Sequence, residues 1–199
     1  MTQPAPATPR PSATIVMVRA SDAGPEVLLV KRRAGDAFGN AYTFPGGVID
    51  PDESDARPVC SGLSEEEANA ILGVDHGLDY YTAVIRELFE ETGILLVRDA
   101  DGHWPADVSE FAGQRVAVDR CELAWSDFLR REGFCMAVDA LHYFAWWITP
   151  VNSPKRWTTR FFAAELPPGQ TAEHDGKEMT DSRCLTPKHA LALRLAGDI

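Results

Sequence analysis

The sequence predicts an α/β fold: a mixed β-sheet sandwiched between helices, with a helical insertion. Three observations predict it. β-rich runs occur over residues 13–32 and again over 143–185. One long amphipathic helix lies between them. A second helix closes the chain. Strands that flank a central helix bury their apolar faces most simply as stacked layers.

The elements follow in order. Residues 1–12 (MTQPAPATPRPS) are rich in Pro and Ala and lack an apolar run, so they read as a disordered tail. A single domain is expected over 13–199. Residues 13–19 and 26–32 are β-rich runs separated by Ser-Asp and Gly-Pro turn chemistry, which indicates a hairpin or close strand pair. Residues 36–42 read as a loop. Residues 43–49 form a short strand broken by Pro45-Gly46-Gly47, where two glycines permit close backbone approach or positive φ. Residues 51–62 are polar and turn-rich. Ser64 and Glu67 have capping-box spacing, so a short helix should run through Leu72 and stop at Gly73. Asp79 is placed to cap the main helix over 80–92, and 94–97 reads as the next strand. Helical periodicity in 106–118 and 120–131 predicts a helical insert at about 105–141. Residues 143–149, 158–165 and 177–185 read as strands, and 187–196 as the closing helix.

Composition bounds the function. With 199 residues, 45% hydrophobic and 25% charged, the chain suits one globular domain with an insertion. The net charge of -11 argues against a nucleic-acid polymer as partner, because a phosphate backbone needs a basic footprint. A small anionic substrate remains compatible if metal ions supply the positive charge. Cys60, Cys121, Cys135 and Cys184 form no C-x-x-C pair and read as reduced thiols of a cytoplasmic protein. No signal peptide is visible, and the apolar stretch at 141–151 is too short to span a membrane.

The main helix carries the chemistry. Spaced at 100° per residue, Arg86, Glu87, Glu90 and Glu91 share an arc of about 140°. Tyr81, Val84, Ile85, Leu88 and Phe89 occupy the opposite arc, and Gly93 follows as a stop. Carboxylates at these spacings repel by a few tenths of a kcal/mol, roughly, and they sit at the negative end of the helix dipole. A cation among them resolves both penalties. A solvated acidic face is the alternative that the helix alone leaves open.

Joined to Phe44-Pro45-Gly46-Gly47, this helix resembles the Nudix box, G-x5-E-x7-R-E-U-x-E-E-x-G-U, with U aliphatic. Gly47 and Glu53 match the first half, and Arg86 through Ile94 match the second half at every specified position. Residues 54–85 separate Glu53 from Arg86, roughly 25 more than the motif's seven. That leaves open whether Glu53 or an acid of the insert, such as Glu67, does the motif glutamate's work. An interrupted box, the phrase FGNAYTFPGGVID and Trp147-Ile148-Thr149-Pro150 are similar to the branch of the peroxisomal coenzyme A diphosphatases. Another coenzyme A signature would want arginine and glycine where Asp36 and Asn40 stand.

The resemblance implies a Nudix fold and hydrolysis of a diphosphate linkage in a nucleoside diphosphate derivative. Coenzyme A or acyl-coenzyme A comes first, then ADP-ribose, NADH or a dinucleotide. A non-catalytic Nudix-fold nucleotide-binding regulator is the alternative of another class, although such modules typically lose the box acids kept here. The implied metal ligands are Glu87, Glu90, Glu91 and the carbonyl of Gly46, for Mg²⁺ or Mn²⁺. Glu91 and Glu87 carry the catalytic weight, and Arg86 should orient a glutamate. The general base is a box glutamate or a later acid, first Glu178, then Glu173 or Asp175. Arg32, Arg33, Arg156 and Arg160 are candidates for phosphate or nucleotide contact, and ordinary surface charge explains each equally well. Trp146, Trp147 and Trp157 are candidates for base stacking or core packing. The partner expected is a small-molecule nucleotide, not a nucleic-acid polymer or membrane, with a homodimer as the possible assembly. The box insert at about 55–78 should form a flap beside the site.

Overall fold

The computed structural model describes residues 7–35, 40–105 and 107–199. The first half of the expected tail, most of the expected loop at 36–42 and Ala106 lie outside the described residues.

The main sheet contains β1 (Arg10–Arg19), β2 (Glu26–Arg32), β3 (Tyr42–Thr43), β4 (Gly46–Val48), β8 (His142–Ile148), β9 (Trp157–Glu165) and β10 (Met179–Leu185). Its order is β10-β2-β1-β9-β8, with β3 paired to β2 and β4 to β1. β1 and β9 are parallel, and the other pairs are antiparallel, so the sheet is mixed. β1 starts three residues earlier than the sequence suggests. Arg10, Pro11 and Ser12 are recruited because β9 and β4 flank them on both sides, pairing Ser12 with Thr159 and with Val48. The tail expectation therefore fails for 10–12. Along β1 the strand period of two is plain: Ala13, Ile15 and Met17 are buried, whereas Thr14 and Val16 are only partly so.

The helix α2 (Leu78–Thr92) lays its apolar face on this sheet. Tyr81 meets Phe162 of β9 at a ring-centroid distance of 4.8 Å, and Val84, Ile85 and Leu88 are fully buried. Gly93 ends the helix at φ 73°. Asp79 does not cap it. Its carboxylate instead accepts two hydrogen bonds from Arg57, at 2.6 and 2.7 Å.

Beyond α2 lies a second group of elements. The capping-box helix α1 (Glu65–Leu72) forms as expected, with Ser64 and Glu67 bonded reciprocally. It follows a 3-10 segment at Pro51–Val59 and the short strand β5 (Cys60–Ser61). The region expected to be a helical insert holds α3 (Ala112–Asp119) and α4 (Trp125–Glu132), but also β7 (Cys135–Ala137). β7 sits between β5 and β6 (Val97–Arg98) in a separate small sheet. An aromatic cluster joins this group to the back of α2, with Phe89 stacked on Phe128 at 5.4 Å and Phe111 edge-on to Phe128 at 5.6 Å.

Two expectations change. Residues 94–96 are fully buried but form no strand. The amide of Gln170 takes the place of a neighbouring strand, accepting from Leu95 N–H at 2.8 Å and donating to Leu95 C=O at 3.0 Å. The closing helix α5 (Pro187–Ala196) forms with Thr186 as its cap, yet none of its residues is buried. Among the described residues no helix is long and apolar enough to cross a membrane, and all four cysteines are free.

Replacing Gln170 by Ala leaves the buried N–H and C=O of Leu95 unpaired. At about 1–3 kcal/mol for each lost partner, urea unfolding should show a destabilisation of about 2–6 kcal/mol. A change below about 0.5 kcal/mol would show that the amide is dispensable.

Candidate active site

The site forms where β4 runs past the C-terminal half of α2. Gly46 pairs with Thr14 and Gly47 with Ala13. The Gly46 N–H donates to Glu91 Oε2 at 3.1 Å. A Cβ at Gly46 would lie 2.3 Å from the Ala13 carbonyl, and the residue has φ +148°. A Cβ at Gly47 would lie 2.2 Å from Glu87 Oε1. Only two glycines let the strand approach the acidic face this closely.

Arg86 gathers the acids. Its Nε donates to Glu53 Oε1 at 2.9 Å, and one terminal nitrogen reaches both oxygens of Glu90 at 3.0 and 3.1 Å. The same nitrogen lies 3.1 Å from Glu87, and the other lies 3.3 Å from Asp50. Glu53 is only 3% exposed. Of the two acids that the interrupted motif leaves open, Glu53 reaches Arg86, while Glu67 stays at the surface capping α1. The insert does not form a flap, because no residue of 55–78 lines the cleft. It braces α2 instead, through the Arg57–Asp79 pair and the burial of Ala68 and Leu72.

A cleft of about 740 Å³ opens over these acids. Arg32, expected as a substrate contact, lies in it, 3.7 Å from Glu91 and 3.8 Å from Glu178. Glu178 and Asp175 also line it. The Asp175 carboxylate accepts from the N–H groups of Lys177, Glu178 and Met179, so it shapes the turn that presents Glu178. Glu173 lines a separate, smaller cavity. Arg33 supports the same turn, donating to Gly176 C=O at 2.7 Å.

Two expected substrate contacts fall elsewhere. Arg160 points to the opposite face of β9, where it is 4% exposed, packs over Trp146 at 4.4 Å and donates to Leu72 C=O. Strand alternation decides this: Thr159 and Phe161 line the cleft and Arg160 between them does not. Arg156 donates to Thr149 C=O and Ala7 C=O, closing the β8–β9 turn. Sequence reasoning missed Asp50 and Asp119 as cleft residues. Asp50 carries a signal, three residues before Glu53. Asp119 arrives from α3, and no spacing rule links it to the motif.

Burial dominates the electrostatics. It pushes the carboxyls of Glu53 and Glu87 up to about 7, against the opposing pull of Arg86. Glu90 is raised for the same reason. Glu91 is raised well above the usual range, first by burial and then by Glu87. Burial works against the Arg86 charge, but Glu87, Glu53 and Glu90 together outweigh it. Buried acids with raised affinity for protons, all of them oxygen donors, match what a hard divalent cation requires. Among the described residues Asp99, Asp101 and His103 also bring ligand atoms within 4.8 Å of one another. They sit on a surface turn, where the Asp99 carboxylate already accepts from the N–H groups of Asp101 and His103.

No family model matches the chain. Its sequence is similar to the acyl-coenzyme A diphosphatase NUDT19 of Xenopus laevis, 32% identical over 205 residues, covering 83% of this chain and 54% of the relative. A nudix relative from Caenorhabditis elegans is 26% identical over 174 residues, covering 86% of this chain and 50% of the relative. The chain thus spans about half the length of the curated relatives it matches. The crystal structure of a Nudix hydrolase from Alicyclobacillus acidocaldarius superposes with a TM-score of 0.80 at 22% identity, covering 96% of this chain and 85% of that one.

Two outcomes are expected from this geometry. Glu53 and Glu87 hold their protons to about pH 7 when folded, against 4.5 in the ordinary carboxyl. The unfolded chain therefore binds fewer protons between those values, and metal-free stability should fall as pH rises through that window. Saturation with a divalent cation should offset the loss at the upper end, raising the melting midpoint by roughly 5–10 °C at a hundredfold excess over Kd. A midpoint that climbs with pH in metal-free protein would contradict this. Separately, Glu53→Gln should weaken divalent-cation binding about 10- to 100-fold by calorimetry, while Glu67→Gln leaves it unchanged.

Proposed function

We propose that this chain, a member of the Nudix superfamily similar to its coenzyme A diphosphatase branch, hydrolyses the diphosphate linkage of a nucleoside diphosphate derivative. Coenzyme A and its acyl esters are the leading substrates. The observation that carries the reading is the reassembly of the interrupted box: Glu53, Glu87 and Glu90 on one arginine, with Glu91 held at Gly46. An acidic face that merely met solvent would not be buried around a shared guanidinium.

Glu87, Glu90 and Glu91, with the Gly46 carbonyl, would hold Mg²⁺ or Mn²⁺. When bound, such an ion neutralises phosphate charge and acidifies coordinated water. The remaining work belongs to the chain's own groups. Arg86 fixes the rotamers of Glu87 and Glu90 by charge-assisted hydrogen bonds. The Gly46 N–H fixes Glu91. Arg32 sits in loose ion pairs with Glu91 and Glu178, so an entering phosphate can compete for its guanidinium. Glu178, exposed at the cleft, would accept a proton from the attacking water, with the buried Glu91 as the other candidate acid.

The test is a turnover screen with Mg²⁺ or Mn²⁺ against coenzyme A, acyl-coenzyme A, ADP-ribose, NADH and dinucleoside polyphosphates, with products read by mass. Coenzyme A or an ester should give the highest kcat/KM. Glu91→Gln should lower kcat on the best substrate by about a hundredfold or more. Wild-type turnover by that variant would overturn the assignment, and preference for NADH over coenzyme A would overturn the substrate choice.

A further inference from the structure

The cleft has two chemically distinct walls. One is made mainly by α2 and the 175–178 turn, joined by Arg32 of β2, Asp50 after β4 and Asp119 of α3, and it carries the charged groups. The other is made by β8 and β9 and presents Trp147, Ile148, Pro150, Trp157 and Phe161, none of them charged. Successive tryptophans of β8 take opposite faces. Trp146 lies over Arg160 and donates its indole N–H to Thr158 Oγ1 at 2.7 Å. Trp147 turns to the cleft, touches Phe161 at a centroid distance of 5.6 Å, and remains 70% exposed.

A cleft of about 740 Å³ is larger than a diphosphate needs, so the uncharged wall faces another part of the substrate. We propose that Trp147, backed by Phe161, is the stacking platform for the planar nucleobase, and so a specificity-determining residue of this enzyme. The exposed indole supplies a flat π-face. The 54° tilt of Phe161 against it supports the ring from one side without covering both faces. Three hydroxyls at this wall are already engaged within the protein: Ser12 and Thr159 bond to each other, and Thr149 Oγ1 accepts from the Trp157 backbone N–H. What the wall presents most openly is the Trp147 ring face, and stacking there selects a flat base over a sugar or a flexible chain.

The inference rests on the diphosphatase reading only for where the phosphates lie, so its test uses binding of neutral fragments rather than turnover. Adenosine, ribose and pantetheine are titrated against the full chain by ligand-observed NMR. Adenosine should bind more tightly than ribose or pantetheine. Trp147→Leu, which keeps an apolar side chain but removes the ring, should weaken adenosine roughly 5- to 100-fold and leave pantetheine unchanged. Trp147→Phe should retain most of the affinity. Two results overturn the proposal: equal binding of adenosine and ribose by the wild type, or a Trp147→Leu variant that loses pantetheine and keeps adenosine. Neither result bears on Glu91→Gln, so the two readings fail separately.

Discussion

The burial of one guanidinium among four carboxylates is the constraint on which the rest of this structure depends. Arg86 touches Asp50, Glu53, Glu87 and Glu90, and its side chain is only 12% exposed. Taking charges from water is costly, and removing one partner of such a set typically costs about 3–5 kcal/mol. The fold must therefore deliver Asp50 and Glu53 to a helix that begins a full insertion later in the chain. It does so by sending the 3-10 segment at Pro51–Val59 directly across α2, and the insert then departs and returns at Leu78. An insertion is tolerated at this point because both of its ends are pinned, one by Glu53 on Arg86 and the other by Arg57 on Asp79.

The same constraint explains the glycines. Carboxylates drawn in toward Arg86 and β4 leave no room for a Cβ at Gly47, and the Glu91 carboxylate needs the Gly46 N–H. Close approach excludes water, and exclusion of water raises the proton affinity of Glu53, Glu87, Glu90 and Glu91. A cluster of this kind is strained by its own charge, which is the condition under which bound cations are held most strongly. The cleft inherits a division of labour from this arrangement. Charge is concentrated on the α2 side, and the β8–β9 side is left neutral and aromatic.

The second group of elements does more than decorate. α3 brings Asp119 to the cleft, and Arg115 of the same helix donates to the Glu90 carbonyl at 3.0 Å, satisfying an acceptor in the last turn of α2. The aromatic cluster around Phe89 and Phe128 fixes the opposite side of that turn. The acidic face is thus held from the strand side by glycine backbone and from the insert side by packing. Rigid support of this kind is what positions side chains for chemistry.

Sequence alone determined the local facts: the strand runs, the capping box at Ser64, the amphipathic face of α2, its glycine stop, and a charged set that a bare helix would avoid. These are legible because strand and helix periods and cap chemistry act within a few residues. Glu53 in its partnership with Arg86, the buried fate of Arg160, the replacement of a strand partner by Gln170, and the arrival of Asp119 in the cleft were decided only by tertiary structure. Each depends on contacts between segments far apart in the chain, or on which face of a strand happens to meet the core. A one-residue step along β9 sends Arg160 to the core side and Phe161 to the cleft, and β-propensity carries no information about which face will be which.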